Sequence, residues 1–112
     1  MPVVEIWVGR AQRTPILSLI ALVDSGADGT IIPRNQLLAL QARRSRKKLL
    51  RGVTGNASLV DTFEVSFLLG GYERATLEVV ADPQKEIILG RDVLNHFIVT
   101  LNGLASMVEI TQ

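Results

Sequence analysis

The sequence contains no cysteine, which excludes disulfide bridges, thiolate nucleophiles and zinc sites built on cysteine. A single histidine, His96, is too little for a multi-histidine metal site or a histidine relay within one chain. Charge of neither sign dominates: the formal net charge is +1, so the chain as a whole has no bias toward nucleic acid or an anionic membrane. No apolar run approaches the roughly 20 residues that span a bilayer. The first ten residues, "MPVVEIWVGR", carry an early Glu5 and lack a basic segment with a cleavage site, so we expect a cytoplasmic protein. Low-complexity stretches and linkers are also missing. What remains, 112 residues with 47% apolar and 21% charged side chains, reads as one soluble domain over residues 1–112 with a single core.

The patterns along the chain are mostly those of strands. Val3 to Val8 is rich in β-branched and aromatic residues, with Trp7 expected in the core, and the turn-rich "GRAQRTP" follows it. Ile16 to Val23 reads as a buried strand, apolar on both faces toward its end. After Ile31-Ile32 and Pro33, "RNQLLALQA" has the composition of about two turns of helix. Phe63, Val65 and Phe67 alternate cleanly, Gly70-Gly71 marks a tight turn, and Tyr72 to Val80 is the returning strand. "EIILGRDVLNHF" combines a short apolar strand, a glycine and a short helix with Val93, Leu94 and Phe97 clustered. Asn102-Gly103 is a strong hairpin signal within "FIVTLNGLASMVEI". The sum is a mainly β domain of about seven strands and two short helices.

One residue stands out. In "ALVDSGADGTII" an apolar strand delivers Asp24 directly into a small turn. Asp is depleted in strands and costly to bury unpaired, so either an Asx-turn needs it or the carboxylate has chemistry to perform. Two further blocks bear on the choice: a glycine-containing hairpin tip about thirty positions on, Gly52-Val53-Thr54-Gly55-Asn56, and "IILGRDVL" before the second helix. Taken together, in this order and spacing, the three blocks resemble a retropepsin-like aspartic protease, and the resemblance covers nearly the whole chain.

That resemblance implies a closed, retropepsin-like β-barrel acting as an aspartic endopeptidase on extended peptides. The chemistry requires two carboxylates sharing one proton, since both cannot ionise side by side. With only one Asp-Ser-Gly signature per chain, the second carboxylate would be Asp24 of another copy, giving an obligate homodimer with one site per dimer. Asp24, Ser25 and Gly26 would form the catalytic loop, with Ser25 standing where the family usually has Thr. Ala27, Asp28 and Gly29 would meet the substrate main chain. Arg91 would pair with Asp28 in the same subunit. Leu22, Ile31 and Ile88 would line side-chain pockets, and the tip Gly52, Val53, Thr54 and Gly55 would close over the peptide as a flap. Viral members of the family have an N-terminal strand ahead of the first hairpin, whereas this chain enters that hairpin at once. The resemblance therefore places the dimer sheet in residues 98–110, as in cellular and bacterial members. It implies no cofactor, no metal and no membrane.

Two alternatives follow from the residues themselves. A catalytically inactive domain of the same fold, used for dimerisation or peptide binding, keeps every feature except turnover. The basic run from Arg43 to Arg51 holds six of the twelve Lys and Arg residues and suggests a nucleic-acid patch. No aromatic residue interleaves with it, so base stacking is missing and nucleic acid is not the expected partner. A solvated loop at the base of the flap is the preferred reading; the run could equally favour acidic substrates or offer a site for self-cleavage or trypsin-like nicking. His96 is expected at a helix end or on the surface, and Tyr72 in hairpin packing.

Overall fold

Alternating apolar residues wrap one continuous core in the computed structural model, which describes residues 2–51, 57–82 and 86–98. The described elements run in the order β1 (Val3–Arg10), β2 (Leu17–Val23), β3 (Ile31–Pro33), α1 (Arg34–Ala39), β4 (Arg43–Arg51), β5 (Ala57–Leu69), β6 (Tyr72–Asp82), β7 (Ile88–Leu89) and α2 (Arg91–Ile98). The sheet order is β1-β2-β7-β3-β6-β5-β4, and a further pairing of β1 with β5 closes six of these strands into a barrel. Strand β4 stays outside the ring, attached only to β5 among the described strands. The result is a mainly β fold with a closed six-stranded barrel and two helices.

Residue parity decides what each strand buries. In β1, Val4, Ile6 and Val8 point into the barrel, while Val3, Glu5 and Trp7 point out. The inward set meets Leu19, Ala21 and Val23 of β2, Phe63, Val65, Phe67 and Leu69 of β5, and Leu77 and Val79 of β6. Helix α2 caps this core with Val93, Leu94 and Phe97, and α1 adds Leu37. Each fully buried side chain of this size contributes about 1.5–3 kcal/mol relative to exposure, so the core specifies the closure.

Three expectations change. Trp7 is 38% exposed and lies on the barrel exterior, because it shares its face with Glu5, whose carboxylate accepts the Ser18 hydroxyl at 2.6 Å. Residues 43–48 are strand, not loop: β4 pairs antiparallel with β5 from Arg43↔Glu64 to Arg51↔Ala57, with a register shift between Arg44 and Lys47. Non-local acids hold it there. Asp61 accepts Arg34 at 2.7 Å, Arg44 at 3.1 Å and Lys47 at 3.3 Å, while Glu78 accepts Arg46 at 2.8 Å. Finally, Ile98 closes α2, so no strand begins at that residue; residues 99–110 of the expected dimer sheet lie outside the described residues. The same holds for the expected tip at 52–55.

Tyr72 packs between Phe67, His96 and Phe97, with ring centroids 4.5–6.0 Å apart, and His96 lies exposed in the last turn of α2. No helix among the described residues is long and apolar enough to cross a membrane.

Candidate active site

Strand β7 lies between β2 and β3, pairing parallel with one and antiparallel with the other. The β2–β3 connection, residues 24–30, therefore crosses the end of β7, where the chain enters α2. Loop and helix start must share this space, and the sequence permits it through Gly90. A Cβ there would fall 2.5 Å from the Gly29 carbonyl carbon and oxygen, a distance that no side chain tolerates. The Arg91 amide donates to the Ala27 carbonyl at 2.8 Å, completing a backbone contact between the two segments.

Asp24 begins this loop and is half-buried. Its amide donates to the Leu89 carbonyl at 3.1 Å, and its carbonyl accepts the Ala27 amide at 3.2 Å. One carboxylate oxygen, Oδ1, accepts the Gly26 amide at 2.8 Å, an Asx-turn geometry. The other, Oδ2, has no hydrogen bond among the described residues, and no second carboxylate bonds to it there. The turn thus fixes the orientation of Asp24 while leaving an acceptor free. Ser25 and Gly26 are exposed beside it.

Asp28 and Arg91 form an ion pair, each side chain about half exposed. Exposed pairs contribute only about 0–1 kcal/mol, so this contact orients the loop more than it stabilises the fold. Leu22, Ile88 and Ile31 come together on three neighbouring strands: Leu22 pairs with Ile88, and Ile88 with Ile31. All three are partly exposed, whereas Val23, Leu89 and Ile32, one residue further along each strand, are buried. A ledge of apolar side chains therefore runs along the loop that holds Asp24.

Two residues of this site escaped the sequence reading. Thr30 is fully buried, and its hydroxyl donates to Asp92 Oδ1 at 2.8 Å while accepting the Gly90 amide at 3.3 Å. Asp92 also accepts the Val93 amide at 2.9 Å, and a carboxylate in the first turn of a helix complements its dipole. Together they join the far end of the Asp24 loop to α2. The available signals were a hydroxyl residue flanked by glycine and two isoleucines, and an acid just after Gly-Arg. Among the described residues no group of three acidic or histidine side chains is arranged to hold a metal ion.

Comparison with known proteins agrees with this architecture. The solved structure of EIAV protease complexed with the inhibitor HBY-793 superposes with a TM-score of 0.61 at 24% identity, over 85% of this chain and 86% of that one, which establishes the fold. A search of curated proteins gives no match. The family model described as retroviral aspartyl protease matches residues 1–102. On a match of that extent, with the fold in agreement, the chain belongs to the retroviral aspartyl protease family.

Proposed function

We propose that the protein is an aspartic endopeptidase that works as a homodimer, with a catalytic dyad formed by Asp24 of each copy. The observation that carries the reading is the free Oδ2 of Asp24, presented by a loop braced against β7 and α2 beside the ledge of Leu22, Ile31 and Ile88. Two such carboxylates brought face to face share one proton and titrate as a pair. The ionised partner takes a proton from water as it attacks the scissile carbonyl, and the protonated partner donates to the carbonyl oxygen. The carboxyl that took the water proton then gives it to the leaving amine as the C–N bond breaks, while the other carboxylate takes a proton back from the gem-diol hydroxyl, which restores the singly protonated dyad.

The surrounding residues take supporting roles. Ser25 braces the two loops across the axis through its hydroxyl, and Gly26 permits their close approach. Ala27, Asp28 and Gly29 bind the substrate main chain, with Arg91 steadying Asp28. Gly52, Val53, Thr54 and Gly55 cover the peptide and exclude water, and residues 98–110 of both copies form the interface.

The test is a peptide-library cleavage profile of wild type beside Asp24→Asn, between about pH 4 and pH 7. Cleavage that rises faster than linearly with protein concentration and vanishes in Asp24→Asn supports the proposal. A dimer that binds peptides but cleaves none replaces it with a peptide-binding domain.

A further inference from the structure

Strands β1 and β4 share one edge of β5, since β6 occupies the other edge over residues that both registers overlap. Their registers there are consecutive. Arg10, the last residue of β1, lies opposite Val65, and Arg43, the first of β4, lies opposite Glu64. One strand ends where the other begins, and each end carries an arginine. A cavity of about 470 Å³ opens at this junction, lined by Arg10, Arg43 and a third arginine, Arg13. Arg13 is held there by the turn after β1, where its amide donates to the Arg10 carbonyl at 2.9 Å. None of the three forms an ion pair among the described residues, whereas Arg34, Arg44, Arg46, Lys47 and Arg91 all do. Glu64 is the one acid on the cavity wall, so two positive charges are left over. Like charges gathered in a cleft repel one another and concentrate anions there.

The backbone points to the same place. Gln12 and Gln41 are the two non-glycine residues with left-handed φ among the described residues, at 65° and 57°, and both line this cavity. Gln12 lies in the turn after β1, its amide donating to the Ala75 carbonyl at 2.7 Å, and Gln41 follows the last turn of α1. Glycine would meet both backbones without strain. Glutamine at both instead adds side-chain amides to a polar wall.

We propose that this cavity binds a small phosphate ester bearing hydroxyl groups, at a site separate from the Asp24 loop. Guanidinium forks hold phosphate oxygens in pairs, and a phosphate monoester, with a charge of about −2 at neutral pH, offsets the two surplus positive charges. Glu64, the two glutamines and Thr76 offer hydrogen-bond partners to hydroxyl groups. No aromatic ring lines the cavity, so a nucleobase has no surface on which to stack. The size agrees, because small-molecule sites occupy about 300–1,000 Å³. The whole length of β2, Leu17–Val23, separates the turn after β1 from Asp24. Occupancy of the cavity is therefore independent of peptide binding and of the endopeptidase reading.

Isothermal titration calorimetry of the wild-type protein with glucose 6-phosphate, inorganic phosphate and glucose, at about 0.15 M salt, tests the site. Glucose 6-phosphate should bind with a Kd below about 1 mM, inorganic phosphate about three- to tenfold more weakly, and glucose not at all. The Arg10→Gln/Arg43→Gln double variant should lose about tenfold or more in affinity for glucose 6-phosphate. Both side chains are exposed and form no ion pair, so without ligand this variant should melt no lower than wild type. If it does melt lower, Arg13→Gln alone carries the test, with an expected loss of about threefold or more. Lys48→Gln removes an unpaired cation outside the cavity and should change the affinity by less than about twofold. Asp24→Asn should leave it unchanged. No binding of glucose 6-phosphate below about 10 mM, equal affinity for inorganic phosphate, or an equal loss in Lys48→Gln overturns the inference.

Discussion

Replacing Thr30 isolates the contribution of one buried hydroxyl to the geometry of the loop that holds Asp24. Valine has nearly the shape of threonine, so Thr30→Val removes hydrogen bonding with little change in packing. The Gly90 amide, which is buried, loses its 3.3 Å acceptor, and Asp92 Oδ1 loses a 2.8 Å donor while keeping the Val93 amide. An unpaired buried donor costs about 1–3 kcal/mol, and the partly compensated carboxylate adds to this, so we expect a loss of about 2–3 kcal/mol. For a chain of this size that is roughly 8–12 °C in melting temperature. Thr30→Ser is the control, since it keeps the hydroxyl and deletes a methyl group at a cost of about 1 kcal/mol. Urea denaturation of the three proteins, at one fixed concentration because dimerisation would shift the midpoint, measures both losses. The Val variant should be the least stable. If it equals or exceeds the Ser variant, the Thr30–Asp92–Gly90 bridge does not hold the loop to α2.

Three further outcomes are expected. Gly90→Ala places a methyl group 2.5 Å from the Gly29 carbonyl; overpacking of this kind costs about 1–3 kcal/mol, and any peptide cleavage should fall with stability because the Asp24 loop must shift. Glu78 has its carboxyl lowered from 4.5 to about 2, first by the Arg46 hydrogen bond, with lesser help from Thr62, Arg46's charge and Ser45 against the opposing effect of burial. Because the folded value is the lower one, this contribution is present above about pH 4.5 and is lost as pH falls toward 2; acid titration of denaturation midpoints should show Glu78→Gln losing less over that window than wild type. Trp7, at 38% exposure, should be quenched readily by acrylamide in the folded protein, and a shielded, blue-shifted emission would contradict its outward placement.

The fold was legible where local chemistry and global packing agree. Gly70-Gly71 turns β5 into β6, Phe63, Val65 and Phe67 face the core, and Asp24 follows β2 at the point where β7 and α2 meet, although β2 is buried on one face only, with Ile20 60% exposed on the other. Parity was harder. β1 alternates two sets of residues, both containing large apolar side chains, and only Glu5 on the Trp7 face marks which set faces water. The segment from Leu49 onward reads as a strand leading to the tip, but the first part of β4 was unreadable because residues 43–48 are all exposed, so no apolar alternation records its pleat. What orders it are Asp61 and Glu78, acids on β5 and β6 whose relevance appears only after the strands have paired. Thr30 and Asp92 present the same difficulty at the site: the bridge joins residues 62 apart in the chain.

The central claim is that one chain contains half of an active site, and a subunit-mixing titration tests it most directly. Wild type is mixed with Asp24→Asn at constant total concentration, allowed to exchange subunits, and assayed for peptide cleavage. If each site needs Asp24 from both copies, activity follows the square of the wild-type fraction, so an equal mixture keeps about a quarter of it. Retention of about half, in direct proportion to the wild-type protein present, would mean that each chain acts alone and would contradict the account.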